Sequence, residues 1–180
     1  MTKVAISQPT YLPWLGYLKM IQSVDVFVFL DNVQFEKQSW QSRNRIKNNK
    51  DQFLWLSVPI KTHALNTHLC DVEIATTKFN WQKKHRNSIQ TYLGKSPHIE
   101  EVLELLDLSY QQPFKYLADL NIDIITQLCK KLQIKTRLVR ASSMNVVGQK
   151  TDLLLAILQE LGADYYLANS GSKTYLDLDS

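Results

Sequence analysis

The chain has 180 residues, of which 44% are hydrophobic and 21% are charged, with only 5 glycines and 5 prolines. This composition is typical of a globular protein with a buried core and excludes collagen-like and low-complexity chains. The 21 basic residues outnumber the 17 acidic ones, giving a formal charge of +4, which favours anionic partners such as phosphates without by itself indicating nucleic acid.

The N-terminal region predicts a βαβ unit. Residues 3–7 have the pattern of a short buried strand, and residues 14–22 that of a helix with Pro13 at its start. Residues 24–30 form an almost continuous run of β-branched and aromatic residues, which is typical of an interior parallel strand. We therefore predict that these two strands are adjacent and parallel, with the helix crossing between them.

The rest of the chain alternates between strand and helix patterns. Strands are predicted at residues 53–59, 70–75, 136–140 and 165–168, and helices at residues 80–93, 99–106, 117–132 and 152–161. Strands at both ends with helices between them indicate an α/β fold. We expect a single domain over residues 1–180, with a mainly parallel, Rossmann-like sheet and helices on both faces.

The loop after the first strand is rich in polar and aromatic residues. Ligands of open α/β sheets bind at the carboxyl ends of the strands, where this loop should lie. Tyr11, Trp14 and Tyr17 could stack on a base or a sugar, and Gln8 could supply an amide. The alternative is that these aromatic side chains only cover the edge of the sheet.

A second polar segment follows the strand at residues 24–30. Between residues 37 and 50 five residues are basic and none is acidic. Arginine offers planar paired donors for phosphate, and lysine offers a point charge. Such a run is often only a solvated face, but its aromatic and amide residues favour an anion site. The candidates are Asp31, Gln34, Lys37, Trp40, Arg43, Asn44, Arg45 and Lys47.

Three weaker signals lie outside these two segments. His85 could be an acid–base group, although a helix face shared with Trp81 favours a packed histidine. Ser170 and Gly171 lie in a polar loop that could offer N–H groups to a phosphate. His63, His68 and Cys70 could be metal ligands, but their spacing is irregular and no fourth ligand lies near them. We therefore predict no metal and no cofactor.

The N-terminus and the hydropathy pattern bear on location. No apolar run approaches the roughly 20 residues of a membrane span. The apolar N-terminal stretch ends at Gln8 and Pro9, so it is shorter than the apolar region of a signal peptide. We therefore expect a cytoplasmic protein without a membrane span, while its oligomeric state stays open.

Several sequence blocks resemble the WbqC-like family. They are QPTYLPWLGY at residues 8–17, LDNVQF at 30–35, WQSRNRIK at 40–47, WLSVP at 55–59 and GADYYLANSG at 162–171. The resemblance covers essentially the whole chain. It implies a bacterial protein of O-antigen and lipopolysaccharide biosynthesis, for which a glycine transferase role has been suggested. It also implies a further C-terminal segment, usual in the family, that this sequence does not contain.

A looser likeness concerns architecture. A strand, a proline-rich loop, a helix beginning near Gly16 and a hydrophobic strand ending at Asp31 are similar to the opening of nucleotidylyltransferases. That superfamily places a histidine motif in this loop, and the present loop has no histidine. The likeness therefore supports the fold more than adenylyl-transfer chemistry.

Three functions compete at this point. The first is a transferase that takes a phosphate-bearing or nucleotide-linked substrate, with Asp31 or His85 as the base. The second is a nucleotidylyltransferase-like enzyme, and the third is a non-catalytic module that binds a sugar phosphate or RNA. We expect one cleft to collect the side chains of Gln8, Tyr11, Asp31, Gln34, Arg43 and Arg45.

Overall fold

The computed structural model describes residues 1–168. Its strands are β1 (Lys3–Ser7), β2 (Val26–Phe29), β3 (Arg43–Lys47), β4 (Phe53–Ser57), β5 (Arg137–Arg140) and β6 (Tyr165–Tyr166). Its helices are α1 (Leu15–Gln22), α2 (Trp81–Leu93), α3 (Ile99–Tyr110), α4 (Leu117–Lys131) and α5 (Lys150–Glu160). The chain divides into two compact units. Among the described residues, the first is formed by Met1–Gln8, Trp14–Asn32 and residues 129–168, and the second by Pro9–Pro13 and Val33–Leu128.

The first unit contains a four-stranded parallel sheet with the order β5-β2-β1-β6. All four residues of β2 are buried. Because successive side chains point to opposite faces of a sheet, both faces of β2 are covered, which explains its unbroken hydrophobic sequence. The predicted parallel pairing of the first two strands, with α1 between them in the chain, is confirmed.

The second unit contains the antiparallel β3–β4 hairpin and helices that enclose a hydrophobic core. Leu56 of the hairpin, Leu103 of α3 and Ile124 of α4 are almost completely buried in this core. Helix α2 begins after Asn80, whose side chain accepts a hydrogen bond from the Lys83 N–H and so caps the helix.

One predicted element differs from the observed structure, and one observed strand was not predicted. The strand predicted at residues 70–75 is a 3₁₀ turn at Leu69–Asp71, followed by isolated bridges of Glu73 and Ile74. The buried residues Leu69 and Val72 are three positions apart, which matches the period of a 3₁₀ turn and not that of a strand. Strand β3 lies in a polar segment for which no strand was predicted, because Ile46 is its only apolar residue.

Among residues 1–168, no helix combines the length and the apolar character that a bilayer crossing requires.

Candidate functional site

The β3–β4 hairpin has one inner and one outer face. Asn44 pairs with Leu56 and Ile46 pairs with Leu54, and these leucine and isoleucine side chains pack in the core of the second unit. Because side chains alternate along a strand, the residues between them point outward. The core therefore fixes which side chains the hairpin presents on its outer face.

The outer face combines arginines with aromatic rings. The Arg43 guanidinium carbon lies 4.2 Å from the centre of the Trp55 ring, and that of Arg45 lies 4.1 Å from the centre of Phe53. The rings of Trp40 and Trp55 are 5.7 Å apart, and Arg45 lies 5.7 Å from each of them. We call these five residues, Trp40, Arg43, Arg45, Phe53 and Trp55, the arginine–aromatic face.

The charges of this face are available to a ligand. Within the part of the chain that the structure describes, no carboxylate lies within ion-pair distance of Arg43 or Arg45. By contrast, Lys47 pairs with Asp51 at 2.6 Å. The Nε of Arg43 is buried and has no acceptor among the described residues. A guanidinium stacked over an aromatic ring keeps its N–H donors in its own plane, where they can clamp an anion.

The aromatic rings of the face are themselves half-exposed. Trp40, Phe53 and Trp55 keep 49%, 58% and 42% of their surface accessible. A cluster of large exposed rings beside free cations is typical of a surface that binds a ring-bearing anionic ligand. Arg43, Arg45 and Trp40 were predicted as site residues, whereas Phe53 and Trp55 were not. Their signal was a strand in which exposed aromatic residues alternate with leucines.

Two asparagines hold the segment Pro9–Pro13 in the second unit. The Asn44 side-chain NH₂ donates to the carbonyl oxygens of Tyr11 and Leu12, at 3.1 and 2.6 Å. The buried Asn121 donates to the carbonyl oxygens of Pro9 and Gln41, at 3.1 and 2.8 Å. Asn44 therefore has a positioning role, and Asn121 is a positioning residue that the sequence interpretation missed.

A chain of hydrogen bonds lies inside the second unit. The Tyr11 hydroxyl is 2.7 Å from Nδ1 of His85 and 2.5 Å from the Tyr110 hydroxyl. Burial, together with the nearby Lys84 charge, lowers the pKa of His85 to about 4. A hydrogen bond to the Ser57 backbone has the opposite, smaller effect on this pKa. A neutral His85 donates to the Ser57 carbonyl and accepts from Tyr11, so Tyr110 donates to Tyr11.

Tyr110 also lines a cavity of about 250 Å³ beside α2 and α3. Burial raises the pKa of Tyr110 well above its usual value, so its hydroxyl keeps its proton at neutral pH. In the same cavity Arg86 Nε bonds both oxygens of Asp107 at 2.8 Å. Because this arginine is neutralised by its partner, the cavity is a weaker anion site than the outer hairpin face.

In the first unit, Asp31 follows β2 and is completely buried. Its carboxylate accepts hydrogen bonds from Arg140 Nε at 2.8 Å and from the N–H and Oγ of Ser142 at 2.8 and 2.7 Å. Asp31 thus joins the carboxyl ends of β2 and β5. Its predicted role as a catalytic base stays a prediction.

The aromatic residues of the first loop are divided between the two units. In the first unit, the Tyr17 hydroxyl donates to the Gln8 carbonyl at 3.0 Å, and Tyr17 is buried. Trp14 is 69% exposed, and its ring covers Gly16 so closely that a Cβ there would displace it. Tyr11 belongs to the second unit and is completely buried.

The six residues expected in one cleft are likewise divided. Gln8 and Asp31 lie in the first unit, and the other four, Tyr11, Gln34, Arg43 and Arg45, lie in the second. Gln34 is exposed and donates to the Leu65 carbonyl at 2.8 Å, and Lys37 is exposed. Ser170 and Gly171 lie outside the described residues.

Three side chains could hold a metal ion. His68, Cys70 and Asp71 offer an imidazole nitrogen, a thiol sulfur and a carboxylate oxygen within 4.8 Å of one another. His63, the other histidine considered from the sequence, does not belong to this group, and its Nδ1 lies 2.9 Å from the Ala64 carbonyl.

Comparison with known proteins identifies the family. The model of the WbqC-like protein family matches residues 8–180. The chain belongs to the WbqC-like family. This WbqC-like chain is also 30% identical over 178 residues to the uncharacterized protein Rv1507c of Mycobacterium tuberculosis, a match that covers 98% of the chain and 76% of that protein. No solved structure matches it. The predicted family is confirmed, while the reaction has to be inferred from the geometry.

Proposed function

We propose that this WbqC-like protein is a transferase of bacterial O-antigen biosynthesis whose arginine–aromatic face holds a phosphate-bearing, nucleotide-linked substrate. The transferred group would be glycine or another small acyl group, and its acceptor a sugar. The observation that carries the proposal is the pair Arg43 and Arg45, stacked on exposed rings and facing no carboxylate among residues 1–168.

The geometry of the face fits the two parts of such a substrate. A guanidinium can bond two phosphate oxygens at once, and stacking against Trp55 or Phe53 limits the side-chain freedom lost on binding. The half-exposed Trp40 ring offers a surface on which a base or a sugar can stack. Phosphate and ring would then be recognised by neighbouring groups.

An acid–base group lies behind this face. His85 bonds the backbone of Ser57, and Ser57 pairs with Arg43 across the hairpin. The hydrogen-bond chain from His85 runs through Tyr11 to Tyr110, which lines the cavity beside α2 and α3. Only 4% of the His85 surface is exposed, so it does not touch a substrate on the arginine–aromatic face, and its predicted role as a base stays a prediction.

The topology of the first unit supports a Rossmann-like architecture. If the four parallel strands are numbered in chain order, β5-β2-β1-β6 becomes 3-2-1-4, which is the order at the centre of a Rossmann sheet. This order is compatible with the predicted likeness to nucleotidylyltransferases. Because one fold serves many reactions, the likeness extends to architecture alone.

Equilibrium binding to a panel of ligands tests the proposal. The panel contains a nucleotide sugar, the corresponding nucleoside diphosphate, inorganic phosphate and a single-stranded oligoribonucleotide. Binding is followed by thermal shift, since a ligand at a hundred times its Kd adds about 2.7 kcal/mol of stability. We expect the nucleotide sugar to bind the wild type and to bind Trp55→Leu more weakly. Phe79→Leu, which changes another exposed aromatic residue of the second unit, is the matched control.

The outcomes show what the protein binds and where. Binding of the nucleotide sugar that Trp55→Leu weakens and Phe79→Leu leaves unchanged supports a nucleotide-sugar site on the arginine–aromatic face, which the proposed transferase requires. Tight binding of the oligoribonucleotide alone, with an affinity that falls steeply with salt, would indicate an RNA-binding module instead. Equal binding of the nucleotide sugar by both variants would show that the site lies elsewhere.

A further inference from the structure

We infer that His68, Cys70 and Asp71 form a site for a divalent transition-metal ion of the zinc class. Their three potential ligand atoms lie within 4.8 Å of one another. Ligand atoms around one tetrahedral zinc ion are about 3.3–3.8 Å apart, as follows from bonds of about 2.0–2.3 Å. Small rotations of the three side chains bring their ligand atoms from separations of up to 4.8 Å to the shorter separations around a zinc ion.

The backbone between these ligands is held in place from both sides. Leu69 and Val72 are completely buried. The Leu69 N–H donates to the Val33 carbonyl at 2.9 Å, and the Val72 carbonyl accepts from the Leu117 N–H at 2.9 Å. The 3₁₀ turn brings Asp71 back toward His68, whose carbonyl accepts the Asp71 N–H at 3.0 Å. The ligands therefore lie on a preorganised segment, which lowers the entropic cost of metal binding.

The ligand set selects the class of metal. A thiolate, an imidazole and a carboxylate together suit a borderline-soft ion such as Zn²⁺ or Co²⁺, whereas Mg²⁺ and Ca²⁺ prefer oxygen ligands alone. His68 and Asp71 are exposed and Cys70 is partly exposed, so an ion can reach all three. Three protein ligands leave the fourth tetrahedral position for water or for a group of a bound ligand.

The site is independent of the proposed function. It lies on a turn of the second unit and uses none of the residues of the arginine–aromatic face. The sequence interpretation rejected a metal because His63, His68 and Cys70 are irregularly spaced and no fourth ligand lies near them. The 3₁₀ turn supplies Asp71 in place of His63 as the third ligand.

Cobalt titration of the full chain tests the site. After dialysis against a chelator, the protein is titrated with Co²⁺, and the near-ultraviolet absorption from thiolate-to-cobalt charge transfer is recorded. We expect saturation at one Co²⁺ per chain and loss of the signal when Zn²⁺ is added. Cys70→Ser should abolish the charge-transfer band. Asp71→Asn should weaken Zn²⁺ binding at least about 10-fold, because losing even an outer partner of a metal ligand costs about 10–100-fold.

The second cysteine of the chain provides the matched control. Cys129 is buried, and burial raises the pKa of its thiol to about 11, so it stays protonated near neutral pH. Cys129→Ala should therefore keep the full cobalt spectrum. If Cys70→Ser does not unfold cooperatively, Asp71→Asn, a change at an exposed side chain, decides the matter. Absence of stoichiometric binding by the wild type, a charge-transfer band that persists in Cys70→Ser, or unchanged Zn²⁺ affinity in Asp71→Asn would overturn the inference.

Discussion

The hydroxyl of Tyr11 lies 2.7 Å from Nδ1 of His85, although the two residues are 74 positions apart in the chain. Both side chains are buried, so neither group can replace its partner with water. The contact ties the N-terminal motif of the family to helix α2. It also fixes the protonation of both partners, because Tyr11 can donate only to a neutral imidazole.

The first prediction concerns the dependence of stability on pH. Burial lowers the pKa of His85 from 6.5 to about 4, so the unfolded chain binds this proton more readily than the folded one. The contribution of His85 to stability is therefore fully present above pH 6.5 and is lost as the pH falls toward 4. The loss reaches about 3 kcal/mol, from 1.36 kcal/mol for each pKa unit.

Denaturant unfolding of His85→Gln at several pH values measures this contribution. Between pH 6.5 and 4, the variant should lose about 3 kcal/mol less stability than the wild type does. His68→Gln, which removes an exposed histidine of the second unit, is the control and should follow the wild-type curve. Parallel curves for wild type and His85→Gln would show that His85 is not buried as a neutral group.

The second prediction concerns the hydroxyl of Tyr11. Tyr11→Phe leaves Nδ1 of His85 and the Tyr110 hydroxyl without their buried partner. We expect a loss of about 1–3 kcal/mol in the free energy of unfolding, the cost of an unsatisfied buried polar group. Tyr92→Phe, at a partly buried tyrosine of α2, should change stability by less than about 0.5 kcal/mol. Equal stability of the two variants would contradict the hydrogen-bond chain.

The third prediction concerns the junction between β2 and β5. Asp31→Asn removes the charge that pairs with Arg140 and weakens two hydrogen bonds from Ser142. Breaking a buried ion pair from one side costs about 3–5 kcal/mol. Thermal or denaturant unfolding should show a loss of this order for Asp31→Asn. It should show less than about 1 kcal/mol for Asp25→Asn, at an exposed carboxylate that accepts a single backbone hydrogen bond.

An Asp31→Asn variant as stable as the wild type would remove the argument for a structural role.

The parts of the fold that the sequence predicts are those with local signals. The β1–α1–β2 unit is predicted because its hydrophobic runs and its helical period occur within 30 residues. Strand β3 is not predicted, because its sequence is polar and only its pairing with β4 makes it a strand. The 3₁₀ turn at Leu69–Asp71 is so short that its few buried positions do not distinguish it, in the sequence, from a short strand.

The same distinction applies to the candidate site. Arg43 and Arg45 are predictable from a local basic run, and the neighbouring Ile46 packs against the core of the second unit. Tyr110 and Asn121 act on residues 99 and 112 positions away, so no local pattern marks them. Trp55 becomes a site residue only because the hairpin register places it opposite Arg45.

The most direct test of the central claim is the affinity of Arg45→Lys for a nucleotide sugar, measured by isothermal titration calorimetry. Lysine keeps the charge but loses the paired donors and the stacking on Phe53, which lies 4.1 Å away. Arg137→Lys, at an exposed arginine that begins β5 in the other unit, is the control.

We predict that Arg45→Lys weakens binding by about 1.5–3 kcal/mol, or about 10- to 150-fold, while its melting temperature stays that of the wild type. Arg137→Lys should bind as the wild type does. An affinity of Arg45→Lys equal to that of the wild type would contradict the claim that the arginine–aromatic face binds the phosphate-bearing substrate.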